Sequence, residues 1–236
     1  MSTRSITGKI VLGLWIAGMT AAAFLWLPPA QGFRSPETAR MVVFHVPCAI
    51  MAFVAFLLNG FYSWRYLRRR EPLLDAKASI SAELGLLFSV LATVTGSLFA
   101  MEQWGTAWNW DPRETSIVIL MLVYAAYFAL RGAVEEKEKR ARLSAAYALL
   151  AFPAMVFLIW VFPRIVESLH PENTLFSRSG LDARYRVTLW GFFAGLLALF
   201  VWMFRTRLRL ELLEARWRER RAQQLAAEPT LVGETR

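Results

Sequence analysis

Long uncharged apolar runs and short charged connections alternate along the 236 residues of this chain. Six runs come close to the ~20 residues that a helix needs to cross ~30 Å of hydrocarbon. They cover about residues 10–28, 41–64, 79–101, 113–131, 143–163 and 187–204. The runs are apolar on all sides, whereas the helices of a soluble protein show a periodic polar face. The pattern predicts an all-α integral membrane protein with six transmembrane helices, built as a single membrane domain over residues 1–236.

The first apolar run follows Arg4 and Lys9 and has some features of a secretory signal. It is long for a signal core, however, and the sequence "LPPAQG" is a poor cleavage site. We therefore interpret this run as a transmembrane helix, with a retained signal anchor as the alternative.

The net charge of +9 is explained by where the basic residues fall. Most of the 27 lysines and arginines precede the first run, follow the second and the fourth, or follow the sixth. The positive-inside rule predicts that these segments, including both termini and the tail over 205–236, are cytoplasmic. This topology accounts for the charge, so membrane lipid is the expected partner of the basic segments and no nucleic-acid partner is required.

One loop predicted on the opposite side contains "QWGTAWNWDPRET", with three tryptophans within seven positions. Tryptophan is common at membrane interfaces, but one or two rings would be enough to anchor a loop there. Trp104, Trp108 and Trp110 instead predict a broad apolar shelf with N–H donors on its rim. In a helical conformation, Trp104 and Trp108 would share one face at the i, i+4 spacing.

The sequence "DPRE" at the end of this stretch predicts the start of the fourth helix. Asp111 is expected to be the N-cap, Pro112 the first helical residue, and Glu114 the residue that completes a capping box. Asp111 therefore has two candidate roles, one as a helix cap and one in the surface formed by the tryptophans.

The chain contains two histidines, His45 and His170, and both fall on the same predicted side as the tryptophans. Imidazole is a common axial ligand of haem iron, and a planar apolar shelf suits a porphyrin, so the combination predicts a haem site. Arginine pairs well with carboxylates such as the haem propionates. The candidates on this side are Arg113, Arg164, Arg178 and Arg184. The single cysteine, Cys48, is not part of a CxxCH motif, so we expect no covalent attachment of haem to this chain.

The segments "FHVP", "TGSLF", "WGTAWNWDPRETS" and "SLHPENT" resemble the tryptophan-rich haem-handling signature of the cytochrome c maturation proteins. The order of the two histidines around the tryptophan motif, and the six helices, are similar to the CcmC type. Two features differ: Ala107 stands where this type usually has a tryptophan, and "DPRET" is closer to the larger subunits CcmF and CcsA. Those subunits have more helices and further histidines within the membrane, which favours the CcmC type.

The resemblance implies a protein of the bacterial inner membrane that holds haem b at its periplasmic face and passes it to the haem chaperone CcmE. It implies the ABC transporter CcmA/CcmB and the small protein CcmD as partners, and no enzymatic reaction by this chain. Carried over by position, it makes His45 and His170 the axial ligands of haem iron. Trp104, Gly105, Trp108, Trp110 and Asp111, beside Arg113, would form the haem shelf and the docking surface for the chaperone.

Two other classes of membrane protein are alternatives. A b-type cytochrome that exchanges electrons with quinone usually places its histidines in the middle of the membrane and often binds two haems. A transporter, including a haem exporter subunit, predicts broken helices and ionisable groups near the midplane. The apolar runs here contain little of that kind beyond Glu83 and Asn59.

Overall fold

The computed structural model describes residues 3–170 and 181–227 of the chain, and all regular structure in these residues is helical. The α-helices are α1 (Thr3–Leu25), α2 (Val42–Arg69), α3 (Pro72–Trp104), α4 (Pro112–Ala133), α5 (Lys137–Val156), α6 (Phe162–Ile165) and α7 (Ala183–Ala227). A short 3-10 helix, Pro36–Met41, precedes α2, and a π-helical segment, Phe157–Val161, joins α5 to α6.

Six helical spans among the described residues are long and apolar enough to cross a membrane, which confirms the predicted fold class. They are Ile6–Leu25, Pro36–Arg69, Pro72–Trp104, Pro112–Ala133, Lys137–Ile165 and Ala183–Leu225. The fifth span therefore consists of α5, the π-helical segment and α6 in succession.

The ends of the helices differ from the apolar runs for local reasons. The first helix ends at Leu25 rather than near residue 28, because Pro28 and Pro29 lack the N–H groups that would continue it. Most of the other helices extend past the apolar runs into charged sequence, since helical hydrogen bonding does not require an apolar side chain. The longest extension is in α7, which continues from the last apolar run through the arginine-rich sequence to Ala227.

Helix α2 lies at the centre of the bundle and packs against α3, α5 and α7, whereas α1 packs mainly against α7. The Phe56 ring of α2 stacks on Tyr124 of α4, with ring centroids 3.7 Å apart. Gly85 of α3 makes room for this ring, since a Cβ atom at that position would overlap it. The close packing around Phe56 fixes the relative positions of α2, α3 and α4, which all contribute to the site described below.

A buried ion pair joins the first turn of α3 to the last turn of α4. Arg131 donates from Nη1 to Asp75 Oδ1 at 2.6 Å and from Nη2 to Asp75 Oδ2 at 3.0 Å. The side chains of Arg131 and Asp75 are 14% and 16% exposed. Asp75 lies at the end of α3 opposite Trp104, about 44 Å from it along the helix at 1.5 Å per residue.

Candidate haem-binding site

Four of the candidate residues lie at helix ends on one side of the bundle. His45 is in the first turn of α2, Trp104 is the last residue of α3, Asp111 precedes α4, and His170 follows α6. Helix α3 ends there because Gly105 has a left-handed φ of +87°, which a residue with a side chain rarely adopts. The Gly105 N–H still donates to the carbonyl of Met101 and caps the helix.

Trp104 is the tryptophan that contacts a histidine. Its ring lies edge-on to the imidazole of His170, with centroids 5.1 Å apart. On its other side it contacts Phe99, again edge-on, at 5.8 Å. The indole thus connects the end of α3 with the segment that carries His170.

The expected helical stacking of Trp104 and Trp108 does not occur, because the chain leaves the helix at Gly105. Residues 105–111 form an irregular turn instead, held by a 2.6 Å hydrogen bond from Thr106 Oγ1 to Asn109 Oδ1. Trp108 packs edge-on against Trp110, with ring centroids 5.8 Å apart. Trp110 has a positive φ of 56° and is 76% exposed, so its ring is presented to the surroundings.

The predicted capping box at the start of α4 is confirmed. Asp111 Oδ1 accepts a 2.8 Å hydrogen bond from the backbone N–H of Arg113, and Pro112 occupies the first helical position. In return, Glu114 Oε2 accepts from the N–H of Asp111 at 3.3 Å and from that of Asn109 at 2.7 Å. The carboxylate of Glu114 therefore fixes the tryptophan turn to the helix that follows it.

Asp111 also binds the segment that carries His170. Its Oδ2 accepts from the hydroxyl of Ser168 at 2.9 Å and from the N–H of Leu169 at 2.7 Å. Its Oδ1 lies 3.0 Å from Nδ1 of His170. The carboxylate itself is fully buried. Asp111 therefore caps α4 as predicted and also holds His170, a role that the sequence did not indicate.

The protonation of this pair follows from its surroundings. Burial lowers the pKa of His170 to about 4, and the positive charge of Arg113 acts in the same direction against the attraction of Asp111. Burial by itself would raise the pKa of Asp111, but the hydrogen bonds it accepts and the adjacent imidazole lower it overall. At neutral pH the pair is a carboxylate and a neutral imidazole. Since a carboxylate can only accept, Nδ1 carries the proton and Nε2 retains its lone pair.

His45 is held in a similar way from α3. Its Nδ1 lies 2.9 Å from the carbonyl oxygen of Ala92, which can only accept, so Nδ1 again carries the proton. Gly96 lies against the ring, and a Cβ atom on it would be 2.8 Å from Cε1 of His45. Both histidines are therefore fixed through Nδ1 and keep the lone pair of Nε2 as a possible metal donor, the arrangement that is typical of metal-binding histidines.

The candidate arginines differ in their surroundings. The positive charge of Arg113 contributes to the lowered pKa of His170. Arg164 instead donates to the carbonyl of Trp160 at 2.6 Å and stacks over that ring at 4.8 Å. Arg184 is exposed at the start of α7, and Arg178 lies outside the described residues.

Several residues of the site were not predicted from the sequence. Ser168 and Leu169 are bound by Asp111, and Gln103 binds the loop before α2 through Ser35 and Thr38. The signal available in the sequence for Gln103 was a glutamine directly before the tryptophan motif. Nothing in the spacing of residues indicated that Ser168 would meet Asp111.

Sequence comparisons identify relatives over nearly the whole chain. A family profile described as CcmC, heme exporter protein C, matches residues 2–223. Heme exporter protein C of Paracoccus denitrificans is 31% identical over 214 residues, which cover 87% of this chain and 88% of that protein. The protein of the same name from Bradyrhizobium diazoefficiens is 31% identical over 79% of this chain and 71% of its own length. That of Escherichia coli K12 is 26% identical over 81% and 80%. The chain belongs to the CcmC family of heme exporter proteins C.

Proposed function

We propose that this chain binds haem between His45 and His170 at one face of the membrane and delivers it to the haem chaperone CcmE during cytochrome c maturation. Haem b is then a transient cargo, and the chain catalyses no covalent step. The observation that carries the proposal is the matched presentation of the histidines, in which an acceptor holds each Nδ1 and each Nε2 therefore retains its lone pair. The names of the relatives, heme exporter protein C, support the same cargo.

The donor set fits haem better than a bare metal ion. Among residues 3–170 and 181–227, no group of three or more His, Cys, Asp or Glu side chains could hold a metal ion. A porphyrin brings four nitrogen ligands of its own and needs only axial ligands from the protein. Two neutral imidazoles, with Trp104 packed against one of them, supply that requirement.

The position of the site supports hand-over rather than electron transfer. His45 lies at the start of α2 and His170 beyond the fifth span, so neither is in the middle of a helix, where a b-type cytochrome usually holds its haem. Two apolar side chains beside the site and outside the spans are exposed: Trp110 by 76% and Leu169 by 54%. An exposed apolar rim of this kind fits a protein partner that docks to receive the ligand.

We assign the face that carries the site to the periplasm of a bacterial inner membrane, and both termini and the tail over 205–236 to the cytoplasm. The basic residues of the segments at the opposite face support this orientation through the positive-inside rule. The proposed partners besides CcmE are the ABC transporter CcmA/CcmB and CcmD, together with membrane lipid.

The test is to purify the full chain with ferric haem and to compare it with His45→Ala and His170→Ala. We expect the wild type to show the optical spectrum of six-coordinate, low-spin haem, and each variant to lose it and to load less haem onto purified CcmE. Added imidazole should restore the low-spin spectrum of each variant by replacing the missing ligand. Wild-type spectra and wild-type loading in both variants would refute the assignment of the ligands.

A further inference from the structure

The loop between α1 and α2 brings an arginine to the end of α3. A Cβ atom on Gly105 would lie 3.1 Å from Nη1 of Arg34, so the guanidinium lies directly over the backbone of the tryptophan turn. Arg34 is exposed, and in the described part of the chain no carboxylate forms an ion pair with it. A planar cation with five donors therefore stands beside the site without an acidic partner.

The neighbouring residue, Phe33, extends the aromatic surface of the site. Its ring lies edge-on to Phe99 at 6.1 Å, Phe99 lies edge-on to Trp104, and Trp104 lies edge-on to His170. These four rings form a continuous row from the loop to the histidine. The loop thus adds a ring to a site in which the tryptophan motif has Ala107 at one position.

Gln103 of α3 holds this loop in place through hydrogen bonds. Gln103 Nε2 donates to the carbonyl of Ser35 at 2.8 Å and also to the hydroxyl of Thr38, while its Oε1 accepts from the N–H of Ser35 at 3.4 Å. Gly32, with a φ of +88°, permits the turn just before Phe33. The positions of Phe33 and Arg34 next to the tryptophan turn are therefore built into the fold.

We propose that Phe33 and Arg34 form part of the ligand site, in which Arg34 pairs with a carboxylate at the edge of the porphyrin and Phe33 contacts its apolar rim. The inference rests on the proposed function and adds a selectivity to it. A guanidinium favours a carboxylate over a neutral ester, because only the carboxylate forms charge-assisted hydrogen bonds with it. The site should therefore distinguish haem from planar ligands of the same shape that lack free carboxylates.

The experiment measures dissociation constants of ferric haem and of its dimethyl ester with the full chain in detergent micelles. Arg34→Gln should weaken the binding of haem by about three- to fivefold, the size expected for an exposed ion pair, and leave the binding of the ester unchanged. The matched control is Arg68→Gln, an exposed arginine in the last turn of α2, at the end of that helix opposite His45, whose guanidinium is stacked on Trp64. It should leave both constants unchanged.

Phe33→Ala tests the other half of the proposal, and it should weaken the binding of haem and of the ester by the same factor. An unchanged ratio of the two constants in Arg34→Gln would overturn the role of Arg34, even if the variant associated less well with CcmE. A wild-type chain that binds neither compound would overturn the proposed function, and this inference with it.

Discussion

Asp111 Oδ1 lies 3.0 Å from Nδ1 of His170, although 59 positions separate the two residues in the chain. The other oxygen of Asp111 accepts from the N–H of Leu169, the residue before His170. Oδ1 also caps α4 through the N–H of Arg113. One carboxylate thus connects the start of the fourth span to the histidine that follows the fifth. In metal sites, a carboxylate in this position fixes the orientation and the tautomer of the ligating imidazole.

Replacing Asp111 by Asn should separate these two roles, because asparagine is as good an N-cap as aspartate. The amide keeps one accepting oxygen but presents N–H groups where the carboxylate accepted from Ser168 or His170. We expect haem to bind about tenfold more weakly, as is typical when the partner of a metal-bound histidine is lost. Spectrophotometric titration with haem would measure this.

The control for this prediction is Glu114→Gln, which weakens the capping box without touching His170. It should lower the thermal midpoint slightly and leave the affinity for haem unchanged. A loss of affinity in Glu114→Gln together with normal affinity in Asp111→Asn would show that helix capping, rather than the contact with His170, is what haem binding requires.

Gly96→Ala should displace the imidazole of His45. The added Cβ atom would lie 2.8 Å from Cε1 and 3.1 Å from Nδ1 of the ring, closer than carbon atoms approach without movement. The ring must then move relative to the carbonyl of Ala92 that holds it. We expect a loss of low-spin haem in the optical spectrum, together with an affinity about tenfold lower.

The matched control is Gly132→Ala, a glycine within α4 whose added Cβ atom would meet nothing within 4 Å. Since alanine is the better helix former, this variant should be at least as stable as the wild type and should bind haem normally. A low-spin spectrum retained in Gly96→Ala would mean that His45 is not held as the structure describes.

The tryptophans should differ in function. Trp104→Ala removes the ring that contacts His170 and should weaken haem binding. Trp110 is 76% exposed, so Trp110→Ala should leave the affinity for haem near that of the wild type and reduce association with CcmE. Haem titration and co-purification with CcmE measure the two effects separately. Equal effects of both substitutions on haem affinity would contradict this division.

The ion pair between Asp75 and Arg131 should stabilise the bundle without affecting the site. Asp75→Asn leaves a largely buried guanidinium without its counter-charge, which costs about 3 kcal/mol, the low end for a buried pair because both side chains keep some exposure. A lower thermal midpoint in detergent would report this loss. Haem bound per folded molecule should not change, since the pair lies at the opposite end of α3 from Trp104.

For comparison, Arg207→Gln breaks the pair with Glu83, whose two side chains are 38% and 49% exposed. Exposed pairs contribute less than about 1 kcal/mol, so this variant should be close to the wild type in stability. If both variants lost the same stability, burial would not explain the contribution of the Asp75–Arg131 pair to stability.

Much of this protein was predictable from the sequence because the relevant signals are local. Six apolar runs indicate six spans, since only helices or closed barrels satisfy the backbone hydrogen bonds of a chain within lipid. "DPRE" predicted the capping box of α4 because a cap depends on residues within one turn. The tryptophans and the two histidines indicated a haem-handling family for the same reason: they stand in short, recognisable motifs.

What connects these motifs was decided by the tertiary structure. The left-handed Gly105 ends α3 at Trp104, so the expected helical face of Trp104 and Trp108 does not form. The partners that hold the histidines through Nδ1, Asp111 and the carbonyl of Ala92, lie 59 and 47 positions away in the chain. No local pattern specifies contacts over such separations, because they depend on how α2, α3 and α4 pack around Phe56 and on where the chain leaves the fifth span.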